Sequence, residues 1–137
     1  MIILDCSPGF DLETMAAMHV ADGLLIVTNP DYPSVITAAK AVEYAKGINV
    51  PLGGIVLNKV RNKKYEIKKE EIESSIKIKV LQEIPFDKKV IESIANQIPV
   101  VLFSPWSKSS RAYKKLAGSL VGEEYKDSWI KRLLGFK

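Results

Sequence analysis

LLIVTNPDYPSVITAAKAVEYAKGINVPLGGIVLNK, residues 24–59, decides the fold. Leu24-Leu25-Ile26-Val27 is apolar at every position and is closed by Thr28-Asn29-Pro30. Pro33-Ser34 opens a helix running to about Lys46, with Val35, Ala38, Ala39, Val42 and Ala45 on one face, and Gly47 stops it. Gly54 to Leu57 is apolar again. Strands that are apolar throughout are covered on both faces, so two of them separated by a helix point to a parallel sheet.

Working outward, the same alternation continues. Ile2-Ile3-Leu4 reads as a buried strand ahead of a helix over Asp11–His19. Lys68–Ser75 is a helix with a polar outer face, and Val80 to Ile84 is a strand ended by Pro85. Asp87 can cap the helix that follows, through about Ala95. Val100 to Phe103 reads as a fifth strand, and Ser107 to Leu120 as the last core helix, ending at Gly122. The expected architecture is α/β: a parallel sheet covered by helices on both faces. Residues 1–121 form its domain, and residues 122–137 a tether with a terminal amphipathic helix.

At 137 residues the chain can bury one core, and no run approaches the roughly 18 apolar residues of a membrane span. Its amino terminus does not read as a secretory signal, because the apolar run stops at Asp5. A single cysteine excludes an internal disulfide and a multi-cysteine metal site, and a reducing cytoplasm is the expected setting. The net charge of +4 is unevenly spread. Residues 1–58 carry two bases against six acids, and the remainder carries 18 bases against 10 acids. Nucleic acid is not expected as a partner, because the lysines and glutamates of residues 59–89 are mixed and no glycine–aromatic interleaving accompanies them. His19 and Cys6 lack catalytic companions. Cys6 reads as a small packing residue, and Trp106 and Tyr113 as packing around the last core helix.

In open α/β sheets, ligands bind at the carboxyl ends of the strands. Asp5-Cys6-Ser7-Pro8-Gly9, Asn29-Pro30-Asp31, Asn58-Lys59 and Pro85-Phe86-Asp87 all stand at such ends. An acid at the tip of a buried strand is costly unless a cation or a donor meets it. Asp5 therefore reads either as a partner for hydrated Mg²⁺ or as a helix cap. Pro8-Gly9 reads either as a turn whose amide can approach a phosphate or as an ordinary turn.

Five motifs in order settle which family this resembles. They are ILDCSPGF at 3–10, LIVTNPD at 25–31, GIVLNKV at 54–60, EIPFD at 83–87 and PVVLF at 99–103. Together, over nearly the whole chain, they resemble the second half of the MinD/ParA family of P-loop ATPases. The resemblance implies a partial P-loop NTPase fold, ATP or ADP with Mg²⁺ as the ligand, and dimerisation. It places Asp5 on the Mg²⁺-linked acid and Ser7, Pro8 and Gly9 on the switch loop that senses the γ-phosphate. Asn58 falls on the asparagine that reads adenine, and Pro85 and Asp87 on the loop beside the base. Ser7 departs from the family pattern, which has a proline there. Arg61 stands where guanine-binding relatives carry an acid, which favours adenine.

No segment matches G-x-x-x-x-G-K-[ST] or the family's variant of it. In the family that loop lies upstream of the region matched here. These residues alone are expected to bind ATP weakly and not to hydrolyse it. In related sheets the phosphate-loop strand lies between the strand bearing the Mg²⁺ acid and the next. Here Ile2–Leu4 and Leu24–Val27 would then either pair directly, leave a gap, or receive a strand from elsewhere. A homodimer or a separate amino-terminal half is the expected partner.

The terminal DSWIKRLLGFK, residues 127–137, is the second informative stretch. On a helix, Trp129, Ile130, Leu133 and Leu134 share one face with Phe136 close by, and Lys131 and Arg132 lie on the other side. Such a segment suits an anionic membrane surface, although it could also pack on the core. It resembles the membrane-targeting tail of the same family. The expected function is an ATP-dependent spatial regulator of cell division or cargo positioning, peripheral at the inner face of the cell membrane, with a regulatory protein partner. The competing reading is a non-catalytic membrane adaptor derived from such an ATPase. An iron–sulfur carrier of the same superfamily fits poorly with one cysteine.

Overall fold

Four of the six helices among the described residues begin where an acid or hydroxyl accepts a hydrogen bond from the first turn. Asp11 accepts from the Thr14 N–H at 2.9 Å, Asp31 from Ser34 at 3.0 Å, Asp87 from Lys89 at 3.0 Å and Ser107 from Ser110 at 3.2 Å. Caps of this kind contribute about 0.5–2 kcal/mol each. They set the register of a computed structural model that describes residues 1–7 and 9–125. Pro8 and the expected tail helix, Trp129 to Phe136, lie outside the described residues.

The element order is α1 (Leu12–Val20), β1 (Leu24–Thr28), α2 (Tyr32–Gly47), β2 (Leu52–Val60), α3 (Lys69–Ile76), β3 (Val80–Pro85), α4 (Lys88–Ala95), α5 (Val100–Phe103) and α6 (Lys108–Val121). They form two compact units, Met1–Phe86 and the part from Asp87 onward.

In the first unit the strands form one parallel sheet in the order β1-β2-β3. Ile26 of β1 and Ile55 and Leu57 of β2 join one core with Val35, Ala38, Ala41 and Val42 of α2 and Ile72 and Ile76 of α3. Met18 of α1 enters the same core, and Phe10 meets Tyr44 edge-on at 5.3 Å. The alanines of α2 let its backbone approach the sheet closely. Along β1 the alternate residue Val27 points away from this core and is 61% exposed.

Two expected strands are absent among the described residues. Ile2-Ile3-Leu4 carries no strand, and Ile2 is 91% exposed. A strand persists only when a neighbour satisfies its N–H and C=O groups, and β1 pairs with β2 alone, so direct pairing of the two segments does not occur. Val100–Phe103 is a helical turn instead, with Phe103 N–H donating to the Pro99 carbonyl at 2.9 Å and Leu102 69% exposed. Pro99 at the N-cap sits in a conformation suited to open a helix, and a short apolar run alone cannot distinguish the two states.

In the second unit, buried serines stand beside the apolar Val100 and Ala112, each with its hydroxyl bonded. Ser110 Oγ donates to the Val100 carbonyl at 2.9 Å, and Ser93 Oγ to Val90 at 2.8 Å. Gly122 ends α6 in the left-handed conformation, φ 74°.

The sheet carries one backbone irregularity with a clear test. β2 bulges against β1 between Leu24 and Leu25, and Gly54 has φ 142°. A Cβ there would stand 2.5 Å from Leu81 Cγ. Gly54→Ala is expected to destabilise the protein by about 1–3 kcal/mol in urea unfolding. Gly47→Ala, with open space at its Cβ, is expected to be close to neutral.

Candidate functional site

The three strands end side by side, and their ends are built by local backbone constraints. After β1, Thr28-Asn29-Pro30 turns the chain into α2, and the Pro30 carbonyl accepts the Ile67 N–H at 3.0 Å. At the end of β2, Asn58 is half-buried, and its Oδ1 accepts the Lys59 N–H at 2.9 Å. Lys59 is left-handed, φ 56°. That turn leaves Nδ2 of Asn58 donating no hydrogen bond to the described residues. At the end of β3, Pro85 registers with Val60, and the Phe86 N–H donates to the Val60 carbonyl at 2.8 Å. The Arg61 guanidinium lies 4.2 Å from the centre of the Phe86 ring.

The loop beyond β2 was legible only as a polar connection, and its organising group was missed. The Glu66 carboxylate accepts the Arg61 N–H at 3.0 Å and the Lys63 N–H at 3.2 Å. Asn62 between them is left-handed, φ 56°. Nothing in the spacing of one acid in a lysine-rich loop announces that closure. Under this loop lies a hollow of about 270 Å³ lined by Pro30, Leu57, Val60, Lys63, Glu66, Lys68 and Glu83, among others.

The structure treats the expected site residues unequally. Asn58 and Pro85 stand on neighbouring strand ends. Asp5 and Ser7 lie on the exposed amino-terminal segment outside the sheet. Gly9 has φ 121°, is exposed, and has open space around its Cβ position. The lining of the hollow includes none of Asp5, Ser7, Gly9 and Asn58. Cys6 is exposed rather than packed. No cluster of three or more His, Cys, Asp or Glu capable of holding a metal exists among the described residues.

Asp87 opens the second unit and does structural work there. One carboxylate oxygen caps α4, and the other accepts both the Ser109 N–H at 3.2 Å and the Ser109 hydroxyl at 3.0 Å. Burial alone would raise its pKa. The bonds from Lys89 and Ser109, with the nearby Lys108 charge, outweigh burial and hold it below its ordinary 3.8.

The ParA family, described as NUBPL iron-transfer P-loop NTPase, matches residues 1–121. An uncharacterized ATP-binding protein of Methanocaldococcus jannaschii is 30% identical over 136 residues, covering 99% of this chain and 52% of that protein. An iron-sulfur cluster carrier protein of the same organism is 30% identical over 133 residues, with coverages of 88% and 45%. The cell division ATPase MinD of Pyrococcus furiosus superposes with a TM-score of 0.78 at 30% identity, covering 86% of this chain and 50% of that one. The septum site-determining protein MinD of Pyrococcus horikoshii, solved with Mg-ADP, gives 0.77 at 28% identity, covering 85% and 48%. The chain thus spans about half the length of these curated relatives.

Removing the Asp87 carboxylate leaves the first turns of both α4 and α6 short of an acceptor. Asp87→Ala is expected to lower stability by about 1–3 kcal/mol near neutral pH. Because the folded pKa is depressed, this contribution is present above the ordinary value of 3.8 and is lost as pH falls through the lower folded value. The gap between wild type and variant in unfolding titrations therefore closes only below that window.

Proposed function

The chain belongs to the ParA family of P-loop NTPases, and from that premise we propose that it carries the switch and base-side half of an ATP-operated, MinD-like positioning protein. Asn58 carries this reading. It stands at the carboxyl end of the central strand β2, where α/β sheets bind ligands. Its unspent Nδ2 and the second lone pair of Oδ1 match the donor and acceptor of an adenine edge. Pro85 and Phe86 on the adjoining strand end supply apolar surface beside it.

The residues present fit the base end of Mg-ATP and not its phosphates. Asp5 offers one carboxylate, which can hold Mg²⁺ through its waters. Gly9, exposed and with φ 121°, would let its backbone approach a phosphate oxygen. Ser7 and Pro8 belong to the same switch segment. No glycine-rich, lysine-bearing loop occurs in these 137 residues to cradle the β- and γ-phosphates, and hydrolysis would need that cradle. The Mg-ADP of the Pyrococcus horikoshii relative supports the choice of ligand. ATP would then drive dimerisation, and the segment from Trp129 to Phe136, with Lys131 and Arg132, would attach the dimer to anionic membrane. One short helix binds weakly, and two in a dimer bind cooperatively. A regulatory protein would trigger release.

A second reading, transfer of iron–sulfur clusters, is favoured by the description of the family and by the relative named as a carrier. Cys6 is exposed, but a cluster takes about four thiolates, and this chain offers one. A non-catalytic adaptor derived from the ATPase keeps the tail and needs no nucleotide.

Calorimetric titration of these residues with Mg-ATP is expected to show binding weaker than micromolar. Supplying a phosphate-loop half should strengthen it, and Asn58→Ala should weaken that gain by about tenfold. Micromolar binding by the chain alone would overturn the division of labour. Separately, co-sedimentation with phosphatidylglycerol-containing vesicles is expected to require residues 126–137. Equal pelleting without them would remove the membrane assignment.

A further inference from the structure

We propose that α6, with the half-exposed Trp106 just before it, forms a second contact for an anionic lipid surface beside the terminal segment. This rests on the membrane reading above. Lys108, Arg111, Lys114 and Lys115 are the charged residues of α6, which has no acid, and Lys108 and Lys115 are exposed. Trp106 is 47% exposed instead of packed around the helix as its sequence context suggested. Lys114 Nζ donates to the Pro105 carbonyl at 3.2 Å and stands 5.7 Å from the Trp106 ring and 6.0 Å from the Tyr125 ring.

The turn after α6 brings Tyr125 to this place. The Glu123 N–H donates to the Gly118 carbonyl at 2.9 Å, and a Cβ on Gly118 would lie 2.6 Å from the Glu123 carbonyl oxygen. The chain therefore doubles back over Gly118 and lays Tyr125 beside Lys114. The 12 residues from Lys126 onward follow Tyr125 in the sequence, and they carry Trp129, Phe136 and four bases of their own.

Trp and Tyr rings flanked by lysines favour the headgroup layer, where each base near anionic lipid strengthens binding by about fivefold. A nucleic-acid strand also offers anions, but it binds aromatic rings by stacking bases on a free face. Trp106 already has Lys114 over its ring, which competes with a base for stacking there.

The test keeps the tail intact and changes only the body. Lys115→Glu and Trp106→Ala are compared with wild type in flotation with phosphatidylglycerol–phosphatidylcholine vesicles, with melting curves to verify folding. Lys108 is left unchanged because its charge acts on Asp87. Lys115→Glu is expected to weaken partitioning by about tenfold and Trp106→Ala by severalfold, and the Lys115 effect should shrink in high salt. Tail-dependent flotation unaffected by either variant overturns the second contact and leaves the membrane reading standing. Absence of flotation by wild type overturns both. Duplex DNA retained by wild type but not by Lys115→Glu, with vesicle binding unchanged, assigns the face to nucleic acid and overturns the proposal.

Discussion

Everything in the first unit hangs on β2 being hydrogen-bonded along both edges. Its Ile55, Val56 and Leu57 are almost fully buried, which is tolerable for a backbone only when its N–H and C=O groups are spent on β1 and β3. Nothing but small side chains on α2 lets a helix lie close enough to cover that pairing. The Gly53-Gly54 step then absorbs the mismatch in register between the two neighbours, through a bulge and a backbone angle that a side chain would resist. Because β2 is fixed in this way, Asn58 leaves the sheet at a fixed height. A ligand-reading residue needs such a rigid base.

The second unit is held by different means. Its buried apolar residues are few, Val100 and Ala112 among those described. Ser93, Ser109 and Ser110 are among its most buried residues, each with a partner. Buried hydroxyls that are fully satisfied specify one arrangement more sharply than grease does, and one unmet partner is costly.

Much of this architecture can be read from residues. The β1–α2–β2 unit was legible because apolar runs and a small-residue helix face leave one sensible packing. Asp11, Asp87 and Ser107 stood at the starts of their expected helices because capping is local chemistry, whereas Asp31, read only as a strand-end residue, caps the helix expected from Pro33. Non-local facts were not legible. The run Ile2–Leu4 has strand composition and no strand, since pairing partners are not encoded in the run that needs them. Val100–Phe103 has strand composition and is a helical turn, since Pro99 decided the backbone. At the candidate site, Asn58 and Pro85 were found by their place after apolar runs. Glu66, which folds the adjacent loop around its carboxylate, carries no pattern of its own. Ser109 as the partner of Asp87 lies 22 positions away, beyond any local rule.

Asp87 follows Pro85 by two residues, and its carboxylate grips the first turn of α6. A helix of 14 residues is a rod about 21 Å long. A small tilt at the gripped end becomes a larger sweep at the other, where the chain reverses at Gly122. In mechanical terms the Asp87 carboxylate rivets the first turn of α4 to that of α6, and the length of the rod magnifies any play in that rivet at its far end.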